Sequence, residues 1–182
     1  MNTDITIRKT NSNDFNHIRF IEEAAFGHDL EANLVAELLS DKTAEPLLSL
    51  LAFENDKPIG HILFTRVYFE ENEEEPLMHI LAPVAVLPAY QKKGVGSLLI
   101  TRGFELLKEM GSELIFVLGH KEYYPRFGFQ VNAQNLGYIP PHSIPTEYAD
   151  CWMVKSIQQP ELDKLPKGKI RCSDILNKKE YW

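Results

Sequence analysis

Between Val84 and Leu99 the chain reads Val-Ala-Val-Leu-Pro-Ala-Tyr-Gln-Lys-Lys-Gly-Val-Gly-Ser-Leu-Leu, and the run Gln91-Lys92-Lys93-Gly94-Val95-Gly96-Ser97 at its centre joins residue types that suit an anion. An apolar strand pattern precedes this run and a helical pattern follows it. The run therefore falls at a helix N-terminus, where first-turn amides lack carbonyl partners and the aligned peptide dipoles add partial positive charge. Glycine lets an anion approach the backbone, and Lys92 and Lys93 add two mobile charges. Two nucleotide-binding patterns fail here. G-x-G-x-x-G needs a third glycine where Leu99 stands, and G-x-x-x-x-G-K-[ST] fails because Gly96 is followed by Ser97 and Leu98. None of the six histidines forms an i, i+4 pair or lies beside a cysteine at ligand spacing, so no metal is expected. Cys151 and Cys172 have no CxxC spacing and read as incidental or buried thiols rather than a disulfide.

Positioning that loop takes a strand before it and a helix after it. Leu77 to Leu87 supplies the strand. Val95 to Met110 supplies the helix, with Val95, Leu98, Leu99, Phe104, Leu106, Leu107 and Met110 on a broad apolar face and Gly111 where a left-handed residue ends a helix. Leu114 to Leu118 does not alternate, as expected of a strand covered on both faces, and completes a parallel βαβ unit. Upstream, Ile5 and Ile7 give a short first strand, Asp14 to Phe26 a helix, and Leu30 to Leu39 a second helix that Asp29 is placed to cap. Leu48 to Glu54 and Pro58 to Phe69 flank Asn55-Asp56-Lys57 as an antiparallel hairpin. Downstream, residues 132–149 read as a long loop and Cys151 to Ile157 as the last strand.

With 182 residues, 44% hydrophobic and 25% charged, the chain has the make-up of one soluble globular domain; residues 1–158 are taken as that domain and 159–182 as a tail of open structure. The net charge of −7 comes mainly from Glu70, Glu71, Glu73, Glu74 and Glu75, read as a solvated connection between strands, with an acidic rim for a cationic substrate as the sharper alternative. A basic footprint for nucleic acid is missing, as are a run of about 20 apolar residues for a membrane span and a secretory N-terminus. The expectation is a cytoplasmic protein without nucleic-acid or membrane partners.

The run from Val84 to Leu99 resembles, as one string, the strand, loop and helix of the GNAT superfamily of acetyl-CoA-dependent N-acetyltransferases, whose loop reads Q/R-x-x-G-x-G/A. Tyr124-Pro125-Arg126-Phe127-Gly128-Phe129 resembles that family's later Y-x-x-x-G-F segment, in a style similar to small bacterial acetyltransferases of the YhbS-like branch. The order of elements from Ile5 to Ile157 is also similar. The resemblance implies an α/β (α+β) GNAT-like fold: a mixed, mostly antiparallel sheet of about six to seven strands, with a splayed parallel pair and helices on both faces. It implies that the backbone of Val84, Ala85 and Val86 pairs with the pantetheine arm of acetyl-CoA. Gln91, Lys92, Lys93, Gly94, Val95, Gly96 and Ser97 would hold the pyrophosphate, and Tyr124 would be catalytic, a general acid or hydrogen-bond donor toward the departing thiolate. The implied partner is a small-molecule or peptide amine bound between Phe26 to Asp29 and the long loop 132–149, and family analogy allows a homodimer.

The sequence departs from the family where a base is needed. Some relatives carry a glutamate on the strand after the cofactor helix, but here Leu114 to Leu118 is followed by Gly119, His120 and Lys121. Glu22, Glu23, His28, His79 and His120 are candidates by chemistry alone, and deprotonation through water is equally allowed. The missing carboxylate leaves open a non-catalytic acyl-CoA-binding module. The anion loop alone leaves open an unrelated phosphate-binding α/β protein.

Overall fold

The computed structural model describes residues 4–72, 76–158 and 161–182. Its elements are β1 (Ile5–Lys9), α1 (Phe15–Phe26), α2 (Leu30–Ser40), β2 (Leu48–Glu54), β3 (Lys57–Phe69), β4 (Met78–Val86), α3 (Val95–Glu109), β5 (Leu114–Leu118), β6 (Tyr138–Ile139), β7 (Trp152–Ser156) and β8 (Gly168–Cys172). One path through the sheet runs β1-β2-β3-β4-β5-β7, with β8 joined to β3 and β6 to β8. Eight strands among the described residues stand against the six or seven expected. The additions are short: two residues of β6 inside the long loop, and five of β8 in the segment whose structure the sequence leaves open.

The short turn Ser12–Asp14 that leads into α1 and the C-terminus of α1 each have a local cause. Asn11 accepts the Asn13 amide, and Asp14 reaches back to the Asn11 amide at 2.8 Å while taking a two-pronged bond from Arg8 at 2.7 and 2.8 Å. That guanidinium holds the Asp14 carboxyl far down, at about 2. Gly27, at φ 78, ends the helix. Asp29 does not cap α2 with its side chain. Its backbone sits near ψ 1 rather than extended, and its carbonyl takes the Asn33 amide at 2.8 Å instead.

The sheet has a core on each face. Leu51, Leu63, Ala85 and Leu87 face α1 and α2, whereas Ile59, Ile62, Leu81, Leu99 and Ile115 pack on the α3 side. The register shifts between Ile62 and Phe64 on β3, opposite Leu81 to Val84 on β4, and Pro83 there has no amide to give a ladder. Parallel pairing of β4 with β5 covers only Met78–Leu114, His79–Ile115 and Ile80–Phe116, after which β4 runs on to Val86 without β5.

Two clusters of polar side chains are buried within this frame. Under α1, Glu22 Oε1 lies 2.6 Å from His61 Nδ1, and His61 Nε2 lies 2.9 Å from Ser49 Oγ. Burial pushes the Glu22 carboxyl up and His61 pulls it back down. Elsewhere His79 Nε2 lies 2.8 Å from the Pro46 carbonyl, which can only accept, so Nε2 carries the proton and Nδ1 takes the Ser112 hydroxyl at 2.9 Å. Burial holds that imidazole neutral, its pKa drawn down to about 4.

These two sites give separate outcomes. His61→Leu strands the buried Glu22 carboxyl and lowers unfolding stability by about 3–5 kcal/mol, whereas Glu22→Leu combined with His61→Leu loses much less than the His61→Leu and Glu22→Leu losses added together. Chemical denaturation of the three variants measures this, and additive losses contradict it. For His79, the folded pKa lies below the unfolded value of about 6.5, so above that pH the ring contributes no pH dependence. As pH falls from there towards 4 only the unfolded chain takes up the proton, and roughly 3 kcal/mol is lost. In His79→Gln that acid-limb slope flattens relative to the unaltered chain.

Candidate active site

Where β4 leaves β5, a cleft of about 1670 Å³ opens. Ile80 to Val84 and Val86 form one wall, and the end of β5 with Leu118, Gly119 and His120 forms the other. Past Ile80, the edge of β4 that faced β5 has no strand partner among the described residues, which leaves backbone groups on it for an extended ligand.

The glycine loop closes one end. Gly94 holds φ 88, a left-handed turn that favours glycine, and the first bond of α3 runs from the Leu98 amide to the Gly94 carbonyl at 3.0 Å. The amides of Val95, Gly96 and Ser97 thus precede any helical acceptor and meet the cleft with the positive end of the helix dipole. Gln91 and Lys92 line the same end, and the Gln91 amide donates to the Val86 carbonyl at 3.1 Å, tying the loop to β4. Two of the expected residues are not on the cleft wall. Ala85 pairs with His61 and points its methyl at the α1 layer, and the Lys93 ammonium lies 5.5 Å over the Tyr90 ring.

Tyr124 opens a four-residue helical turn, Tyr124–Phe127, and lines the cleft while only 8% exposed. Its ring is edge-on to Tyr123 at 5.1 Å and to Phe129 at 5.7 Å. Gly119 makes room for it, since a Cβ there would come within 2.4 Å of a Tyr124 ring carbon. Burial pushes the phenol well above the ordinary tyrosine range, so it stays a hydrogen-bond donor at any physiological pH. Tyr123 and Arg126, neither of them among the expected site residues, also line the cleft. The Arg126 guanidinium sits 4.0 Å over the Tyr123 ring and 3.4 Å from Ser97 Oγ, adding a fixed cation to the anion end.

The opposite end is acidic and apolar. Phe26, Leu30, Glu31, Leu34 and Glu37 of the first two helices face Leu176, Glu180, Tyr181 and Trp182 across it. The acceptor wall expected from residues 132–149 is not on the cleft. That loop packs elsewhere, through a few contacts: Tyr138 is enclosed, β6 pairs with β8, and His142 Nε2 donates to the Asn177 carbonyl at 2.7 Å. The loop braces the C-terminal segment, and that segment forms the wall. Trp182 is held by its indole N–H on the Leu176 carbonyl at 2.8 Å and by edge-on contact with Trp152 at 5.4 Å.

Of the five candidate bases, His120 alone reaches the cleft wall. Glu22 and His79 are sealed in the core, Glu23 pairs with Arg19 at 2.7 Å, and His28 lies beside Glu31 at 2.9 Å. The acidic run does not contribute a described wall residue either. Glu70 pairs with Lys169 at 3.2 Å, and Glu73 to Glu75 lie outside the described residues. Among the described residues no group of three or more His, Cys, Asp or Glu could hold a metal ion, and no helix is long and apolar enough to cross a membrane.

This geometry has relatives. The profile of the acetyltransferase (GNAT) family matches residues 14–129. Over 169 residues, 93% of this chain and 92% of the relative, the sequence is 49% identical to the uncharacterized N-acetyltransferase YjhQ of Escherichia coli K12. A second E. coli K12 relative, the uncharacterized N-acetyltransferase YhbS, is 32% identical over 113 residues, 61% of this chain and 65% of that one. The crystal structure of E. coli YhbS in complex with CoA superposes with a TM-score of 0.85 over 98% of this chain and 95% of that one, at 24% identity. A GNAT family acetyltransferase from Brucella melitensis in complex with acetyl-CoA gives 0.75 over 96% and 99%, at 28% identity. On the span of the family match and the extent of the likeness to YjhQ, this chain belongs to the GNAT acetyltransferase family.

Proposed function

We propose that this chain moves an acetyl group from acetyl-CoA to a primary amine by direct attack of the amine on the thioester. The observation that carries the reading is the polarity of one continuous cleft: an open helix N-terminus with Lys92 and Arg126 at one end, carboxylates at the other, and a protonated phenol between. The residues present fit the co-substrate. The amides of Val95 to Ser97 with Lys92 and Arg126 would hold the pyrophosphate, and the free edge of β4 around Val84 would pair with the amide-bearing arm. Acetyl-CoA supplies an acyl group already activated as a thioester, as the Brucella relative's bound acetyl-CoA supports.

The chain's own residues handle the protons. An alkylammonium with pKa about 10.4 is neutral only about once in 10³ at pH 7, a cost of about 4–5 kcal/mol, so a route for the first proton matters. His120, exposed on the cleft wall, offers that route to solvent. As nitrogen bonds to the acetyl carbon and the carbon–sulfur bond breaks, a second proton leaves nitrogen and one reaches sulfur, giving amide and thiol. Tyr124 faces that sulfur. Full transfer from a phenol of about 10 to a thiolate of about 8.5 is uphill by roughly 2 kcal/mol, and burial of Tyr124 steepens it. Its main contribution is therefore a hydrogen bond to the developing charge, worth about 1.5–3 kcal/mol.

Tyr124→Phe keeps the ring contacts with Tyr123 and Phe129 and removes only the donor. Steady-state thiol release should show kcat reduced by about 10- to 150-fold with the acetyl-CoA KM within about twofold. Unchanged turnover would remove Tyr124 from the mechanism.

A further inference from the structure

The far end of the cleft carries more information than its charge. Glu31 lines it with its side chain 29% exposed, and its Oε2 is sealed from water without a hydrogen bond. His28 Nδ1 stands 2.9 Å from that oxygen in an ion-pair contact that lacks hydrogen-bond geometry. With that oxygen enclosed beside His28, the exposed part of the Glu31 side chain is what meets the cleft. Behind it, Glu22 buries a second carboxyl near enough to interact with the Glu31 charge, and its own Oε2 has no hydrogen-bond partner. Both features favour a positive charge arriving from the cleft.

Around that carboxylate the wall is apolar and, unusually for large side chains, open. Leu30 is 67% exposed and Phe26 38%, and both line the cleft, as do Tyr181 and Trp182. Apolar surface gathered in a concavity beside a charged group is the signature of a ligand pocket rather than of ordinary scattered exposure. The other carboxylates are poor anchors for a second ammonium. Glu37 is already paired with Lys178 at 3.3 Å, and Glu180 is exposed at the rim, where water and salt screen it.

We infer that the acceptor is an amphipathic monoamine, with a single primary ammonium carried on a bulky apolar body. Glu31 anchors the ammonium and Phe26, Leu30 and Trp182 enclose the apolar part. This rests on the proposed acetyl transfer for its chemistry, but the pocket itself is a binding claim and is tested as one.

The experiment takes the full chain with saturating CoA and follows thermal unfolding on adding 2-phenylethylamine, methylamine or spermidine, beside thiol release from acetyl-CoA with the same amines. The expected result is a further rise in unfolding temperature with 2-phenylethylamine alone, and kcat/KM for it at least about tenfold above both others. Glu31→Gln should raise its KM about tenfold or more while the acetyl-CoA KM stays within about twofold. Phe26→Ala should narrow the preference over methylamine. Preference for spermidine, or an amine KM indifferent to Glu31→Gln, overturns the inference and leaves acetyl transfer standing. A Glu31-dependent rise with 2-phenylethylamine but no thiol release with any amine does the reverse. The absence of both a rise and transfer with 2-phenylethylamine also overturns the inference.

Discussion

Parallel pairing between β4 and β5 stops after Ile80 and Phe116, and the site follows from that stop. Continued pairing would fill the backbone groups of β4 and close the cleft. Two local features keep the strands apart: the register shift on the β3 side between Ile62 and Phe64, and Pro83, which cannot donate to a ladder. The β4–β5 connection then places α3 so that its N-terminus points into the opening. The same backbone divergence exposes strand edge and helix end in one place, which gives an extended, phosphate-bearing ligand two kinds of donor at once.

The charges are distributed to match. Cations and free amides gather at the α3 end, and carboxylates at the α1–α2 end, with the Tyr124 phenol between them in a nearly dry aromatic seat. Dryness matters, because a hydrogen bond to developing charge is stronger where water cannot compete. Gly119 fits that seat: any side chain there would collide with the Tyr124 ring. The acceptor end is built indirectly. Loop 132–149 is anchored through Tyr138 and His142, β8 is stitched to β3 and β6, and the segment from Leu176 to Trp182 is thereby held across the cleft from Phe26.

Much of this was legible in the sequence because it depends on local signals. The strand Leu114 to Leu118 is a short apolar run, α3 ends at its glycine, and Gly94 and Gly96 mark the loop. The hairpin turn at Asn55-Asp56 also announces itself, with Asn55 at φ 53. What was not legible depends on distance. Glu31 looks like any polar residue of an amphipathic helix until the turn at Gly27 brings it to the cleft. Tyr181 and Trp182 follow a stretch without periodicity, and their place comes from contacts with Trp152 and Leu176 that no spacing foretells. Arg126 reads as a surface cation because its contacts, Ser97 and the Tyr123 ring, lie across the opening or beside it in three dimensions. Asp29 misleads in the other direction, since a good capping residue needs an extended backbone that the tight α1–α2 turn denies it.

The central claim is that an open helix end and an unpaired strand edge together select a coenzyme A thioester over other phosphate-bearing ligands. Its most direct test is thermal unfolding of the intact chain with acetyl-CoA, ATP or NAD at equal concentration. A ligand at 100 times its Kd stabilises by about 2.7 kcal/mol, which for a chain of this size is a rise of several degrees. The account predicts that rise with acetyl-CoA and little with ATP or NAD, because only the coenzyme carries an arm that reaches along β4. No rise with acetyl-CoA, or an equal rise with ATP, would contradict it.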